Sequence, residues 1–294
     1  MGGLRVSSRT KSFAEKLTAR NEKARRLKKL KFEKPKGTRV IAVANQKGGV
    51  GKTTSVVNLA AALADNGLDV LVVDSDPQGN ASTALGAAHG IGTKDTYSVL
   101  VGEASIDEVV VQNPEFKTLK VVPATIDLAG AEMELPSAER REYLLRDALK
   151  AYIDEHHPHY VFIDCPPSLG LLTLNACVAA NEVLIPMQAE YYALEGLSQL
   201  QRSISGIADA FNPGLHISTI LMTMLDRRTR LGKDVETEVR KHFGEQALHT
   251  VIPRNVTVSE APSYFQTVIS YDRKGMGALA YKEAAYELNK RSFE

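Results

Sequence analysis

A glycine-rich stretch, QKGGVGKTT at residues 46–54, has the residue types of a loop that binds phosphate groups. Its glycines let backbone N–H groups approach phosphate oxygens, and a helix that begins there adds positive potential. Lys52 can reach the β- and γ-phosphates of a nucleotide, and Thr53 can offer its hydroxyl to Mg²⁺. The stretch departs from the common GxxxxGK[ST] pattern because Gln46 occupies the first glycine position and Lys47 is a second lysine. The sequence therefore predicts a nucleotide site with one lysine beyond the usual set.

Three aspartates follow apolar stretches of strand length and supply the carboxylates that a nucleotide site needs. Asp74 and Asp76 stand in the run VDSDPQGN, and Asp164 ends the run YVFID. In phosphate-loop NTPases such residues order Mg²⁺ with its water shell and orient a water for attack on the γ-phosphate. A plain turn is the alternative for the first run, but the preceding strand favours an active site. We expect Thr53 to bind magnesium, with Asp76 and Asp164 acting through water.

The elements that must position these residues alternate along the chain. Strands are predicted at 40–44, 69–74, 119–123, 160–164, 183–186, 217–222 and 250–253, and helices at 53–65, 138–155, 194–211, 231–243 and 277–290. Several strands are apolar on both faces, as in a parallel sheet covered by helices on both sides. The predicted fold is therefore α/β, a doubly wound, mostly parallel sheet flanked by helices, which binds ligands at the carboxyl ends of its strands.

Composition limits the class of protein. The chain has 294 residues, of which 44% are hydrophobic, and no stretch approaches the roughly 18 apolar residues of a membrane-spanning helix. The basic N-terminus also lacks the apolar segment of a signal peptide, so we expect a cytoplasmic protein without membrane insertion. Cys165 and Cys177 lack CxxC spacing, which favours buried, reduced thiols over a disulfide or a zinc site.

The charge is divided unevenly. Residues 1–39 hold 14 Lys/Arg against 3 Asp/Glu, a net of +11, whereas the remainder holds 22 basic and 32 acidic residues, a net of −10. A basic N-terminal segment of this kind is either a solvated tail or a salt-sensitive contact for nucleic acid or an acidic partner. We assign residues 1–38 to a basic extension, partly flexible or helical, and residues 39–294 to the ATPase domain.

Residues 40–290 resemble the ParA/Soj family of chromosome- and plasmid-partitioning ATPases, within the deviant Walker A class that also contains MinD and the nitrogenase iron protein. The motifs that carry the resemblance are QKGGVGKTT, VDSDPQGN, FIDCPPSLG, PMQAEYYALEG at 186–196, TMLDRRT at 223–229 and VIPRNVTVSEAPS at 251–263.

The resemblance implies a role for single residues. Lys47 becomes the signature lysine that reaches across a dimer interface to the partner subunit's ATP, Asp76 the residue that positions water, and Asp164 the Walker B carboxylate. Catalytic roles fall to Lys47, Lys52 and Asp76. Nucleotide-binding roles fall to Lys47, Gly48, Gly49, Val50, Gly51, Lys52, Thr53, Thr54, Asp74, Asp164, Pro253 and Asn255, the last two near adenine.

The resemblance also implies ATP and Mg²⁺ as cofactors and a slow, partner-stimulated ATPase. Its ATP-bound homodimer would bind double-stranded DNA without sequence preference and act with a ParB-type centromere-binding protein, cytoplasmic and associated with the nucleoid. DNA contacts would come from Arg228, Arg230, Lys233 and Arg254. A solvated helix face is the alternative for the first three, and Thr257 stands where relatives often have a basic residue.

Three other functions stay open at this point. A MinD-like, membrane-associated ATPase would need an amphipathic C-terminal helix for the lipid surface. A redox protein like the iron protein would need two suitably placed cysteines, which Cys165 and Cys177 do not match. An orphan relative that positions a division-site or polar assembly, with a polar scaffold protein as partner, would share the same fold and chemistry.

Overall fold

The computed structural model describes residues 13–90, 92–190 and 193–291. Residues 1–12 of the basic extension, and Tyr191 and Tyr192 of the 186–196 run, lie outside the described residues.

Seven strands in the described part of the chain form one sheet in the order β3-β4-β2-β5-β1-β6-β7. The strands are Arg39–Val43 (β1), Val70–Asp74 (β2), Val111–Gln112 (β3), Leu119–Val122 (β4), Tyr160–Asp164 (β5), Glu182–Gln188 (β6) and His216–Thr223 (β7). All neighbours pair in parallel except β3, which is antiparallel to β4. The predicted fold class is confirmed.

Helices connect the strands and cover both faces of the sheet. The α-helices are Phe13–Leu27 (α1), Lys52–Ala64 (α2), Asn80–Ala84 (α3), Thr96–Leu100 (α4), Ile106–Val109 (α5), Leu128–Glu134 (α6), Leu144–His156 (α7), Leu171–Ala179 (α8), Ala193–Phe211 (α9), Arg230–Phe243 (α10), Val256–Glu260 (α11), Val268–Tyr271 (α12) and Met276–Lys290 (α13). Short 3-10 helices lie at Leu135–Ser137, Gly244–Gln246 and Ala261–Tyr264.

Six of the seven predicted strands are present, and the strand predicted at 250–253 is wrong. That segment lies beside β7 with one isolated bridge, between Leu225 and Pro253, because a proline has no N–H to continue a ladder. The short strand β3 was not predicted. The helix predicted at 138–155 begins only at Leu144, since residues 138–143 form turns.

Two hydrophobic cores, one on each face, hold the sheet between its helices. Helices α7, α8 and α9 cover one face, and α2 and α13 cover the other. Strand β1 contributes side chains to both cores, since Ala42 belongs to one core and Ile41 to the other. Burial of an Ile or Leu side chain contributes roughly 1.5–3 kcal/mol, so these fully buried central strands form a rigid base for the loops at their ends.

Candidate functional site

The glycine-rich loop joins β1 to α2 at the carboxyl edge of the sheet. Gly49 and Gly51 have φ angles of 73° and 87°, a region that suits glycine, and Gly51 precedes the first turn of α2. The ends of two strands support the loop from the side. The Gln188 amide donates to the Gly49 carbonyl at 2.8 Å, and the Thr223 hydroxyl donates to the Val50 carbonyl at 2.7 Å. The loop is thus fixed with its backbone N–H groups available to phosphate.

The two lysines of the loop differ in exposure. The Lys52 residue is 7% exposed, and burial lowers the pKa of its ammonium group, an effect that Asp164 and Asp76 oppose. The Lys47 side chain is 54% exposed at the outer edge of the loop and forms an ion pair with Glu190, which follows β6. Lys52 therefore points toward the carboxylates of its own chain, whereas Lys47 stands where another molecule can reach it.

The three predicted aspartates meet at the same edge of the sheet. Asp74 and Asp164 are register partners on β2 and β5, and β5 also lies beside β1 and its loop. Asp74 is fully buried and accepts hydrogen bonds from the Ser82 N–H and hydroxyl at 2.8 and 2.7 Å. Asp76 accepts one from the Gln78 N–H at 3.0 Å. Asp74 thus braces the loop that carries Asp76, whose N–H also donates to it at 3.2 Å.

Asp164 has the environment of a cation ligand. Both carboxylate oxygens are buried and have no hydrogen-bond partner among the described residues. Burial and then Asp74 raise the pKa of Asp164 well above its usual range, while Thr53 and Lys52 act in the opposite direction. Burial likewise raises the pKa of Asp74 to about 6. A buried carboxylate without a partner is costly, and a cation beside it removes that cost, so Asp164 and Thr53 fit Mg²⁺.

A pocket of about 360 Å³ opens beside the loop, on the face covered by α13. The loop contributes Gly51 and Thr54, and the predicted adenine neighbours Pro253 and Asn255 both line the pocket. The side-chain oxygen of Asn255 is buried and has no hydrogen-bond partner in the part of the chain that the structure describes, so it can accept a hydrogen bond from an amino group. The structure therefore brings these two residues to the phosphate loop from about 200 positions away in the chain.

Several residues of the site were not predicted. Gln188 and Thr223 support the loop, Glu190 pairs with Lys47, and Met224 and Tyr281 line the pocket. Four of these lie in two of the motifs that carry the resemblance, PMQAEYYALEG and TMLDRRT, at positions to which the sequence assigned no role. Tyr281 lies within a helix of ordinary composition, and no signal in the sequence distinguished it.

The predicted DNA contacts lie on the surface near the ends of β7 and α11. The Arg228 and Arg230 side chains are 90% and 96% exposed, and Lys233 and Arg254 are also exposed. Arg228 forms an ion pair with Asp226 at 2.7 Å, and this pair lowers the pKa of Asp226 to about 2.

The alternative of a solvated helix face holds for two other basic residues of this region. Arg227 and Arg240 both pair with Glu236, and Arg240 also donates to the Leu248 and His249 carbonyls, so these two arginines stabilise the fold locally. Cys165 and Cys177 are both buried, and burial raises the pKa of each thiol.

The chain is similar to known proteins over most of its length. Residues 38–217 match a family model described as an AAA domain. The chain is 50% identical over 254 residues to the chromosome partitioning protein ParA of Caulobacter vibrioides, which covers 86% of this chain and 94% of that protein. It is 48% identical over 250 residues to the sporulation initiation inhibitor protein Soj of Bacillus subtilis, covering 85% and 98%.

Solved structures with the same fold include nucleotide complexes. A Mycobacterium smegmatis protein described as cobyrinic acid a,c-diamide synthase, with bound ADP and magnesium, is 40% identical with a TM-score of 0.73, over 84% of this chain and 92% of that one. A putative Borrelia burgdorferi plasmid partition protein bound to AMPPNP shares the fold at 22% identity, with a TM-score of 0.73 over 86% and 99% of the two chains.

Proposed function

The chain belongs to the ParA/Soj family of partitioning ATPases, and from this membership we propose that it is an ATP-dependent dimerising switch. As the ATP-bound homodimer it binds double-stranded DNA without sequence preference. Together with a ParB-type protein that stimulates its slow ATP hydrolysis, it segregates a chromosome or plasmid in the nucleoid region of the cytoplasm. The Mycobacterium protein carries the name of a diamide synthase, but the curated relatives of higher identity are named for partitioning, and the proposal follows them.

One observation carries the proposal, the contrast between the two lysines of the phosphate loop. Lys52 is buried near the carboxylates and serves the nucleotide of its own subunit. Lys47 is half exposed at the outer edge of the same loop, where a second subunit can approach. Phosphate groups of two facing nucleotides repel each other, and a lysine from each side offsets that repulsion in a site that excludes water. Such a site is complete only when two copies face each other.

Within one subunit each residue has a separate task. The loop N–H groups and Lys52 bind the phosphates, and Pro253 and Asn255 bound the adenine side. Asp164 and Thr53 would hold Mg²⁺, which would supply positive charge to the phosphate groups. Asp76 orients the water for attack, and its loop is kept in place by the hydrogen bonds that Ser82 donates to Asp74.

The test compares three variants of the full chain in ATP-dependent DNA binding, measured by fluorescence anisotropy of a labelled duplex. Lys52→Ala should lose nucleotide binding and DNA binding together. Lys47→Ala should keep nucleotide binding but lose dimers and DNA binding, and Asp76→Ala should bind DNA but hydrolyse ATP slowly. ATP-dependent DNA binding by Lys47→Ala at the level of the unmodified chain would refute the proposal.

The structure also bears on a MinD-like alternative. That function needs a C-terminal helix whose apolar face is free for lipid, but α13 buries its apolar side against α2. Among the described residues, no helix has the length and apolar character needed to cross a bilayer. Sedimentation with liposomes in the presence of ATP distinguishes the two proposals, and we expect the protein to stay in the supernatant. An orphan role with a polar scaffold protein would leave ATP-dependent dimers intact but lack a ParB-type activator.

A further inference from the structure

A run of basic residues that begins in the last turn of α1 and ends before β1 has no role in the site described above. Residues 25–36, which we term the basic arm, precede the start of the family match at residue 38. Six basic side chains of the arm are exposed and form no ion pair with a described residue: Arg25, Lys28, Lys29, Lys31, Lys34 and Lys36. Arg26 differs, since it pairs with Glu283 on α13. The arm thus presents six uncompensated positive charges.

The arm is packed onto the domain by its apolar residues. Leu27 is buried, and the Phe32 ring meets the Tyr286 ring of α13 edge-on, with centroids 5.5 Å apart. Lys31, next to Phe32, is exposed. Apolar positions facing inward therefore direct the neighbouring lysines outward, as in an extended segment on a surface.

A buried asparagine fixes the position of the arm more firmly than packing alone. Asn289 is fully buried near the end of α13, where its oxygen accepts from the Glu33 N–H at 3.0 Å and its amide donates to the Glu33 carbonyl at 2.8 Å. The same amide donates to the Tyr160 hydroxyl at 2.9 Å. Loss of the arm would leave buried polar atoms of Asn289 unpaired, at a cost of about 1–3 kcal/mol. The folded domain therefore favours the docked arm.

We propose that the basic arm is a second surface for the phosphate backbone of double-stranded DNA, additional to the region of Arg228 and Arg254. This inference rests on the proposed DNA-binding function. Exposed lysines act as point charges that suit phosphates, and they carry no base-specific geometry. Residues 40–294 have a net charge of −10 and on balance repel DNA, so a concentrated positive surface has a clear physical use.

The spacing of the two surfaces matches a short stretch of duplex DNA. Asn255, next to Arg254, lies beside Gly277 in the first turn of α13, whereas Glu33 is held at Asn289 near the last turn. Helix α13 has 15 residues, so its ends are about 22 Å apart. A duplex covers that distance in about six base pairs, at 3.4 Å for each.

The test measures how the DNA dissociation constant of the full chain with AMPPNP depends on salt concentration. One variant combines Lys28→Gln, Lys29→Gln, Lys31→Gln and Lys34→Gln. The control makes the same change of charge at exposed lysines elsewhere, Lys94→Gln, Lys117→Gln, Lys150→Gln and Lys274→Gln. Each phosphate contact adds about 0.9 to the slope of log affinity against log salt, so the arm variant should lose up to about 3.6 from that slope for each subunit, or about 7.2 for the dimer. The control should keep the slope, and both variants should keep their basal ATP hydrolysis.

The outcomes separate this inference from the function on which it rests. A shallower slope for the arm variant alone, with affinity reduced by at least about tenfold at 0.1 M salt, supports the inference. An unchanged slope, while the unmodified chain binds DNA, overturns the inference and leaves the proposed function standing. Absence of DNA binding by the unmodified chain overturns both. If the full chain bound poly-L-glutamate of matched charge as tightly as it binds DNA, the assignment of the arm to DNA would be overturned.

Discussion

Replacing Glu190 by glutamine should strengthen the ATP-dependent dimer. In the structure of one subunit, the Lys47 ammonium pairs with the Glu190 carboxylate. The proposed dimer needs that ammonium at the phosphates of the facing subunit, so Glu190 competes with the partner's nucleotide for the same lysine. Glu190→Gln removes the competing charge and keeps the size of the side chain. The ion pair between Lys47 and Glu190 therefore opposes formation of the proposed dimer, and the variant removes that opposition.

The exposure of the pair sets the size of the effect. The two side chains are 54% and 50% exposed, and ion pairs in such positions contribute about 0.2–1 kcal/mol. A symmetric dimer breaks two such pairs, so the gain is about 0.4–2 kcal/mol. This corresponds to a dimer dissociation constant lower by about twofold to thirtyfold. The difference should shrink at high salt, because solvent ions screen exposed charges.

Sedimentation equilibrium with AMPPNP, in which hydrolysis does not deplete the dimer, measures the dissociation constant directly. Asp147→Asn is a matched control, because Asp147 is also 50% exposed and pairs with an arginine, Arg140, on another part of the surface. The same Glu190 substitution in a Lys47→Ala background should not restore the dimer that Lys47→Ala loses. A dimer that is weakened by Glu190→Gln, or an effect that persists without Lys47, would refute the reasoning.

Three further predictions concern stability. Arg39→Met should destabilise the fold by about 3–5 kcal/mol in urea unfolding at pH 7, since it leaves the mostly buried Glu182 unpaired. Burial alone would raise the pKa of Glu182, but Arg39 outweighs it and holds that pKa below 4.5, so the stabilisation is complete above pH 4.5 and is lost at lower pH. Gly79→Ala should cost about 1–3 kcal/mol in the same assay, because φ is 61° and the new Cβ would lie 2.9 Å from the Ala124 carbonyl oxygen. Asp164→Asn should raise the thermal midpoint of the ligand-free protein, because it removes an unpartnered buried charge, and should reduce the further increase that Mg²⁺ and ATP produce.

The sequence predicted the sheet and the carboxyl-edge site because both depend on local patterns. Strand β5 is a run of buried residues that ends in Asp164, and its neighbour β2 repeats that pattern with Asp74. The meeting of these two aspartates with the loop after β1 therefore followed from parallel pairing. The segment 250–253 failed because its apolar residues fit a strand while Pro253 prevents one. Contacts such as Lys47 with Glu190 join positions 143 residues apart and could not be read from either local pattern.

Helix α13 runs from the candidate nucleotide pocket to the basic arm. Its rigidity limits how ATP could control the proposed DNA binding. Its first turn lies against Asn255 of the nucleotide pocket, its last turn holds the basic arm through Asn289, and its middle packs against α2. An uninterrupted helix that is packed along its length keeps a fixed length. We therefore expect the basic surfaces at its two ends to keep the same spacing with or without nucleotide. On the proposed function, the ATP dependence of DNA binding would then come from dimer formation, which doubles the number of phosphates that one particle neutralises. The logarithm of DNA affinity depends on the number of phosphates neutralised. Doubling that number therefore raises the affinity strongly without any rearrangement of the subunit.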